Sequence, residues 1–149
     1  MLNPFDPKTV LLAKHAQHVV FIHFPIALFL SAVAFDALAQ CKNDNGAADA
    51  AYYNLLTAAI FTVPTLISGI LAWRIQLDGE RLHGLLLLHL VMGVISSVVI
   101  WLSWWLHLRG RKHQKALPRH RLALELLGVV IVAITGHLGG FLSGVSLPT

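Results

Sequence analysis

Four histidines of this chain lie within or at the mouths of long apolar stretches, where an imidazole is costly unless it has a partner. They are His23, His83, His89 and His137. Ionisable residues at such places usually serve a function in membrane proteins. Imidazole is also a common axial ligand of haem iron. The residue types therefore indicate a redox or metal site, provided that the surrounding elements bring the histidines together.

The composition indicates a membrane protein. Of the 149 residues, 56% are hydrophobic and 12% are charged, and the mean hydropathy is +0.70. A soluble domain has roughly 25% charged residues, so this chain has too few charges to cover a surface in water. The net charge of +4 does not indicate nucleic-acid binding, because the basic residues concentrate in one loop beside a helix end. The single cysteine, Cys41, permits neither an internal disulfide nor a C-x-x-C-H haem attachment.

Four apolar stretches are each long enough to cross a bilayer as a helix, which takes about 20 residues. They predict helices over residues 19–39, 51–73, 82–108 and 122–142. Residues 40–49 and 109–121 are read as loops, and the first helix as a retained anchor. The short connections predict a single all-α domain over residues 1–149, an integral-membrane up-down four-helix bundle.

The distribution of Lys and Arg predicts the orientation. The loops after the first and third helices carry seven basic residues, and the opposite side carries four. Positive charge favours the cytoplasmic side. We therefore expect a multi-pass protein of the bacterial inner membrane with both termini in the periplasm.

This topology brings histidines from three helices to one membrane face. At 1.5 Å per residue, His23, His89 and His137 lie roughly 6, 10 and 12 Å below the periplasmic surface. His83 lies at the mouth on that side. Gly93, one turn from His89, would leave room for a flat macrocycle. Two of the three deep histidines would ligate a haem b iron, with the pair left open, and His83 would be a further ligand or a hydrogen-bonding neighbour.

Other polar residues are assigned simpler roles. His107, next to the basic loop, is expected to be solvated, and His15 and His18 are expected to face lipid headgroups. Asp36 and Glu125 are read as solvated end residues, or as partners of Arg109 or Arg121. The chain offers no catalytic triad, phosphate loop or carboxylate-rich metal cage.

Three motifs resemble a known bacterial family. They are His23-Phe24-Pro25-Ile26, His89-x-x-x-Gly93 and Gly136-His137-x-Gly139-Gly140. In this order they resemble the domain-of-unknown-function 2231 membrane proteins and the membrane part of predicted cytochrome-containing proteins. The resemblance covers most of the chain and implies electron transfer beside c-type cytochromes or other redox modules. Since these 149 residues include no cytochrome domain, we expect the soluble redox partner to be another chain.

These observations favour a b-type cytochrome-like electron-transfer subunit over an enzyme acting alone. It would work within a larger redox complex, between a quinol and a periplasmic c-type cytochrome. An alternative is a non-catalytic scaffold subunit of a respiratory or photosynthetic assembly, whose histidines only hydrogen-bond between helices. Transport is a third class, disfavoured because the two halves of the sequence show no internal repeat.

Overall fold

The computed structural model describes residues 16–76, 79, 81–113 and 121–143. In this part of the chain there are four α-helices and no strand. They are α1 (Ala16–Lys42), α2 (Asn45–Gln76), α3 (Gly84–His113) and α4 (Arg121–Leu142). Each is long and apolar enough to cross a membrane. The all-α, membrane-spanning class predicted from the sequence is confirmed.

The helices form an up-down bundle. Helix α1 packs against α2 and α4, and α3 packs against the same two helices, so that α1 and α3 lie on a diagonal. We call the end of the bundle where α1 and α3 finish and α4 begins the inner end, and the opposite end the outer end. Most of each apolar window faces outward, since only 17–28% of its residues are buried. This is the arrangement expected when lipid covers the surface.

The connection between α1 and α2 is much shorter than the loop predicted over residues 40–49. Asn43 adopts a left-handed conformation (φ 53°), and the Asp44 N–H donates to the Ala39 carbonyl at 3.3 Å. This is a Schellman ending for α1. Asp44 Oδ1 then accepts hydrogen bonds from Gly46 N–H and Ala47 N–H at 2.8 and 3.2 Å, which caps α2. The loop over residues 40–49 was predicted because these residues are polar. The alanines after Asp44 favour helix, so α2 begins inside the predicted loop.

The middle of the bundle is apolar and tightly packed. Phe29 of α1, Leu55 of α2 and Val99 of α3 are buried together with several alanines. Gly128 of α4 permits the closest approach, because a Cβ added there would lie 2.8 Å from both Phe29 Cζ and Val99 Cγ1. Small residues at such positions let membrane helices pack closely. This apolar layer separates the polar groups at the two ends of the bundle.

Candidate functional site

Four polar side chains from three helices meet at the inner end, and we call this group the inner cluster. It consists of Asp36 from α1, His107 from α3, and Arg121 and Glu125 from α4; all four are buried. The topology explains the meeting, because α1 and α3 finish at the end where α4 begins. Arg121 and Glu125 are one helical turn apart and therefore point in the same direction.

Asp36 and Arg121 form a two-pronged ion pair. Arg121 Nη2 donates to Asp36 Oδ1 at 2.7 Å, and Nε donates to Oδ2 at 3.1 Å. Gln40, one turn further along α1, donates to the same Oδ2 at 2.9 Å. The planar guanidinium matches the carboxylate geometry, which makes this kind of pair strong and directional. It fixes the start of α4 against the end of α1.

His107 and Glu125 form the second half of the inner cluster. His107 Nε2 lies 2.9 Å from Glu125 Oε1 and 3.8 Å from Asp36 Oδ1. Glu125 is only 1% exposed, and its second oxygen, Oε2, has no hydrogen-bond partner among the described residues. Ser103 Oγ, one turn from His107 on the same face of α3, is also buried without a partner. Buried polar atoms are almost always hydrogen-bonded in native proteins. We therefore expect a further proton or a bound water at Glu125 Oε2 and Ser103 Oγ.

The inner cluster also contains a set of possible metal ligands. One donor atom each from Asp36, His107 and Glu125 lies within 4.8 Å of the other two. However, the guanidinium of Arg121 already engages both oxygens of Asp36. A divalent cation would meet this fixed positive charge and would have to displace it. The charges of the inner cluster therefore suit a proton better than a metal ion.

The prediction that His107 is solvated is wrong, since it is 2% exposed. Helix α3 continues to His113, beyond the predicted end at residue 108, so His107 lies more than one turn inside the helix and not next to the basic loop. The sequence contains a signal for this placement. His89, Ser96 and Ser103 are spaced by seven residues and His107 follows one turn later, so that all four share one face of α3. Asp36 and Glu125 are buried and not solvated. Asp36 pairs with Arg121, one of the partners that the sequence allows, whereas the partner of Glu125 is His107.

His89 is the predicted ligand that faces the interior at the outer end. Its Nδ1 donates to the Thr135 carbonyl of α4 at 3.1 Å. Its ring lies against Gly139, where an added Cβ would come within 3.0 Å of His89 Cε1. An added Cβ at Gly93 would meet no atom within 4 Å, so there is open space one turn along α3 from His89.

The other three predicted histidines are exposed and make separate contacts. His23 Nδ1 donates to the Val19 carbonyl of its own helix at 2.5 Å. His137 packs edge-on against Phe141, with ring centroids 4.8 Å apart. It lies midway in sequence between Thr135 and Gly139, which places it on the opposite face of α4 from the residues that contact His89. His83 precedes the first turn of α3.

His18, expected from the sequence to face headgroups, instead lies between α1 and α2. Its Nδ1 is 3.0 Å from Ser68 Oγ, and its Cε1 lies 3.0 Å from the position of a Cβ added to Gly69. Eighteen residues separate His18 from Asp36, and eighteen separate His89 from His107. Both histidines are therefore roughly 27 Å from the inner cluster on helices that run in the same direction. His15 lies outside the described residues.

A comparison with known protein families finds a match, and this match contains the three histidine motifs. A family model described as "Predicted membrane protein (DUF2231)" matches residues 14–145, which include all three motifs. No curated protein and no solved structure gives a significant match. The family match spans the four helices and confirms the predicted resemblance to the domain-of-unknown-function 2231 membrane proteins. The chain belongs to the DUF2231 family of predicted membrane proteins.

Proposed function

We propose that this membrane protein is an electron-transfer subunit that holds a haem b between histidines near its outer end. The observation that carries the proposal is the environment of His89. Its Nδ1–H donates to a backbone carbonyl, so the lone pair of the neutral ring is on Nε2. Metal-binding histidines almost always donate their other N–H in this way, because the bond fixes both the tautomer and the ring orientation.

His18 has the matching chemistry on the diagonal helix. Ser68 Oγ donates its hydrogen to the Thr65 carbonyl at 2.9 Å, so it accepts from His18 Nδ1–H. The lone pair of a neutral His18 is then also on Nε2. His18 and His89 lie at the same distance from the inner cluster, and each packs beside a glycine of the neighbouring helix. The Nδ1 bond and the matching height make His18 a candidate for the second ligand beside His89.

The residues present fit a haem in two respects. The donors are imidazoles whose other nitrogens are hydrogen-bonded, and the space beside Gly93 is open. His23 has a similar Nδ1 bond to a carbonyl, but it is exposed on the outside of the bundle. His137 is exposed as well. These two, and His83, would ligate iron only where another chain covers them.

A haem with two imidazole ligands has no open iron position, so it suits electron transfer and not oxygen chemistry. We infer that the protein passes electrons between a quinol and a periplasmic c-type cytochrome, as part of a larger complex in the bacterial inner membrane. In this proposal both termini face the periplasm, and the exposed apolar helices contact lipid and the other subunits.

The test is a reduced-minus-oxidised spectrum of protein purified from a haem-replete host. We expect a b-type α-band in the wild type, its loss in His89→Phe and His18→Phe, and its retention in His23→Phe and His137→Phe. The last two are matched controls, because they remove exposed histidines. His23 lies on the same helix as His18, and His137 lies on the helix that His89 contacts. A wild type that lacks the α-band contradicts the proposal. If the band is lost only in His23→Phe and His137→Phe, the haem is bound at a contact between chains and not inside the bundle.

A scaffold subunit is the second candidate, and the inner cluster favours it. Buried pairs that join α1, α3 and α4 would keep the bundle rigid without any cofactor, while the exposed His23 and His137 would contact other subunits. The two functions separate in His89→Phe. If the host complex assembles and turns over normally with this variant, the scaffold function stands and the haem site does not.

A further inference from the structure

We propose that His107 and Glu125 together bind one exchangeable proton, which makes the inner cluster a proton-binding site. Asp36 and Arg121 neutralise each other through their two-pronged pair. Glu125 is then the third ionisable group, and with a neutral His107 the inner cluster would carry a charge of −1. Each of these side chains is less than a tenth exposed.

A net charge in such a place is strongly unfavourable, because few water molecules can solvate it. One added proton removes the charge. The proton comes from water and binds between His107 Nε2 and Glu125 Oε1, which are 2.9 Å apart. The product is either a neutral carboxylic acid beside imidazole or a carboxylate beside imidazolium, and the total charge changes from −1 to 0 in both forms.

The surroundings contain acceptors for this proton. Within the described part of the chain, Glu125 Oε2 and Ser103 Oγ, one turn along α3 from His107, are buried without hydrogen-bond partners, so the carboxyl keeps an uncommitted oxygen that can carry the proton. The charged groups facing the pair are Asp36 from α1 and Arg121 from α4. Among the described residues of α2, the charged group at this end is Asp49, which pairs with Arg111 at the exposed rim.

The apolar core determines the side from which the proton arrives. Phe29, Leu55, Val99 and Val132 are packed across the middle of the bundle. The buried polar side chains beside this layer, Ser96 and Thr62, hydrogen-bond to Thr135 and Trp101 and not to the inner cluster. Gln40 contacts Asp36 and is only partly buried, which brings the inner cluster close to water at the inner end. We therefore include in the proposal that the proton exchanges with the inner aqueous phase.

The chain offers a direct experiment, since it contains only two glutamates, Glu80 and Glu125. In the variant Glu80→Gln, labelling with ¹³C-glutamate reports the Glu125 carboxyl alone. The protein is reconstituted in lipid, and the Glu125 carboxyl and the ¹⁵N-labelled His107 ring are followed by NMR as the pH is changed. His107→Gln identifies the ring signal.

We expect the Glu125 and His107 signals to change over the same pH interval with one proton taken up in total, because interacting groups titrate as a pair. A Glu125 signal that stays that of a carboxylate while His107 titrates alone, or signals that do not change while the protein remains folded, overturns the proposal. Since the native residues of the inner cluster are retained, misfolding of a variant cannot imitate either result.

Sidedness is tested in the same reconstituted vesicles. An impermeant thiol reagent labels Cys41, which is exposed at the inner end, only in molecules whose inner end faces outward. After a step in external pH, the fraction of the Glu125 signal that responds at once should equal the labelled fraction. A responding fraction equal to the unlabelled remainder would place access at the outer end and contradict this part of the proposal.

Discussion

At the scale of single residues, we expect the stability of the fold to depend on the ion pair between Asp36 and Arg121. A single substitution tests this dependence. Removing Asp36 leaves the guanidinium of Arg121 buried without its counter-ion. Breaking a buried pair in this way costs much more than the pair itself contributes, since the remaining charge keeps its desolvation penalty. The charge left unpaired on Arg121, more than the loss of the pair itself, therefore sets the cost of the substitution.

We predict that Asp36→Ala lowers the free energy of unfolding by about 3–5 kcal/mol. Asp49→Ala, which breaks the exposed pair with Arg111, should lower it by less than about 1 kcal/mol. Chemical or thermal unfolding in detergent, followed by circular dichroism, measures both. If Asp36→Ala costs no more than Asp49→Ala, the buried pair does not stabilise the folded protein.

The double variant Asp36→Leu with Arg121→Met should recover most of the loss. It removes both charges together and replaces them with apolar groups of similar size, and such exchanges are often neutral or stabilising. The same unfolding measurement applies. A double variant as unstable as Asp36→Ala would show that shape, and not the unpaired charge, causes the instability.

At the scale of helices, the glycines of α4 have different surroundings on its two sides. Gly128 faces Phe29 and Val99 with no room for a methyl group, whereas a Cβ at Gly136 meets nothing within 4 Å. Close packing of α4 against α1 and α3 thus depends on one particular glycine. The others do not limit how closely the helices approach, except where Gly139 makes room for His89.

We predict that Gly128→Ala destabilises the bundle by about 1–3 kcal/mol, the usual cost of overpacking a filled core. Gly136→Ala adds the same methyl group to the same helix and should be close to neutral, because its surroundings are open. Unfolding in detergent distinguishes them. Equal effects would mean that helix propensity, and not packing, controls the response.

At the scale of the whole molecule, orientation determines which phase each end contacts. Cys41 is exposed at the inner end, and Arg81 is exposed at the outer end. The excess of Lys and Arg in the inner loops favours a cytoplasmic inner end. The proposed haem would then face the periplasm, and the proton site the cytoplasm.

We predict that an impermeant thiol reagent labels Cys41 in inverted membrane vesicles but not in intact spheroplasts. Cys41 is the only cysteine, so the variant Cys41→Ser with Arg81→Cys provides the matched control and should give the reverse pattern. Labelling of Cys41 in spheroplasts would invert the proposed topology.

The sequence alone determined that this is a four-span all-α membrane protein. Long uncharged stretches leave no other way to satisfy the backbone in lipid than helices. Its histidine motifs also predicted the family. The ends of the helices were less predictable. The alanines after Asp44 favour helix, so the loop between α1 and α2 is shorter than the polar residues of the sequence indicate.

Only the tertiary structure decided which polar residues face inward. In a helix covered by lipid, apolar residues surround the whole circumference, so the hydrophobic pattern does not reveal the interior face. His107 and His18 were therefore assigned to water or headgroups although both pack between helices. Asp36 and Arg121 are 85 residues apart, and no local pattern predicts that the end of α1 meets the beginning of α4. That meeting, set by the packing of α4 through Gly128, creates the inner cluster.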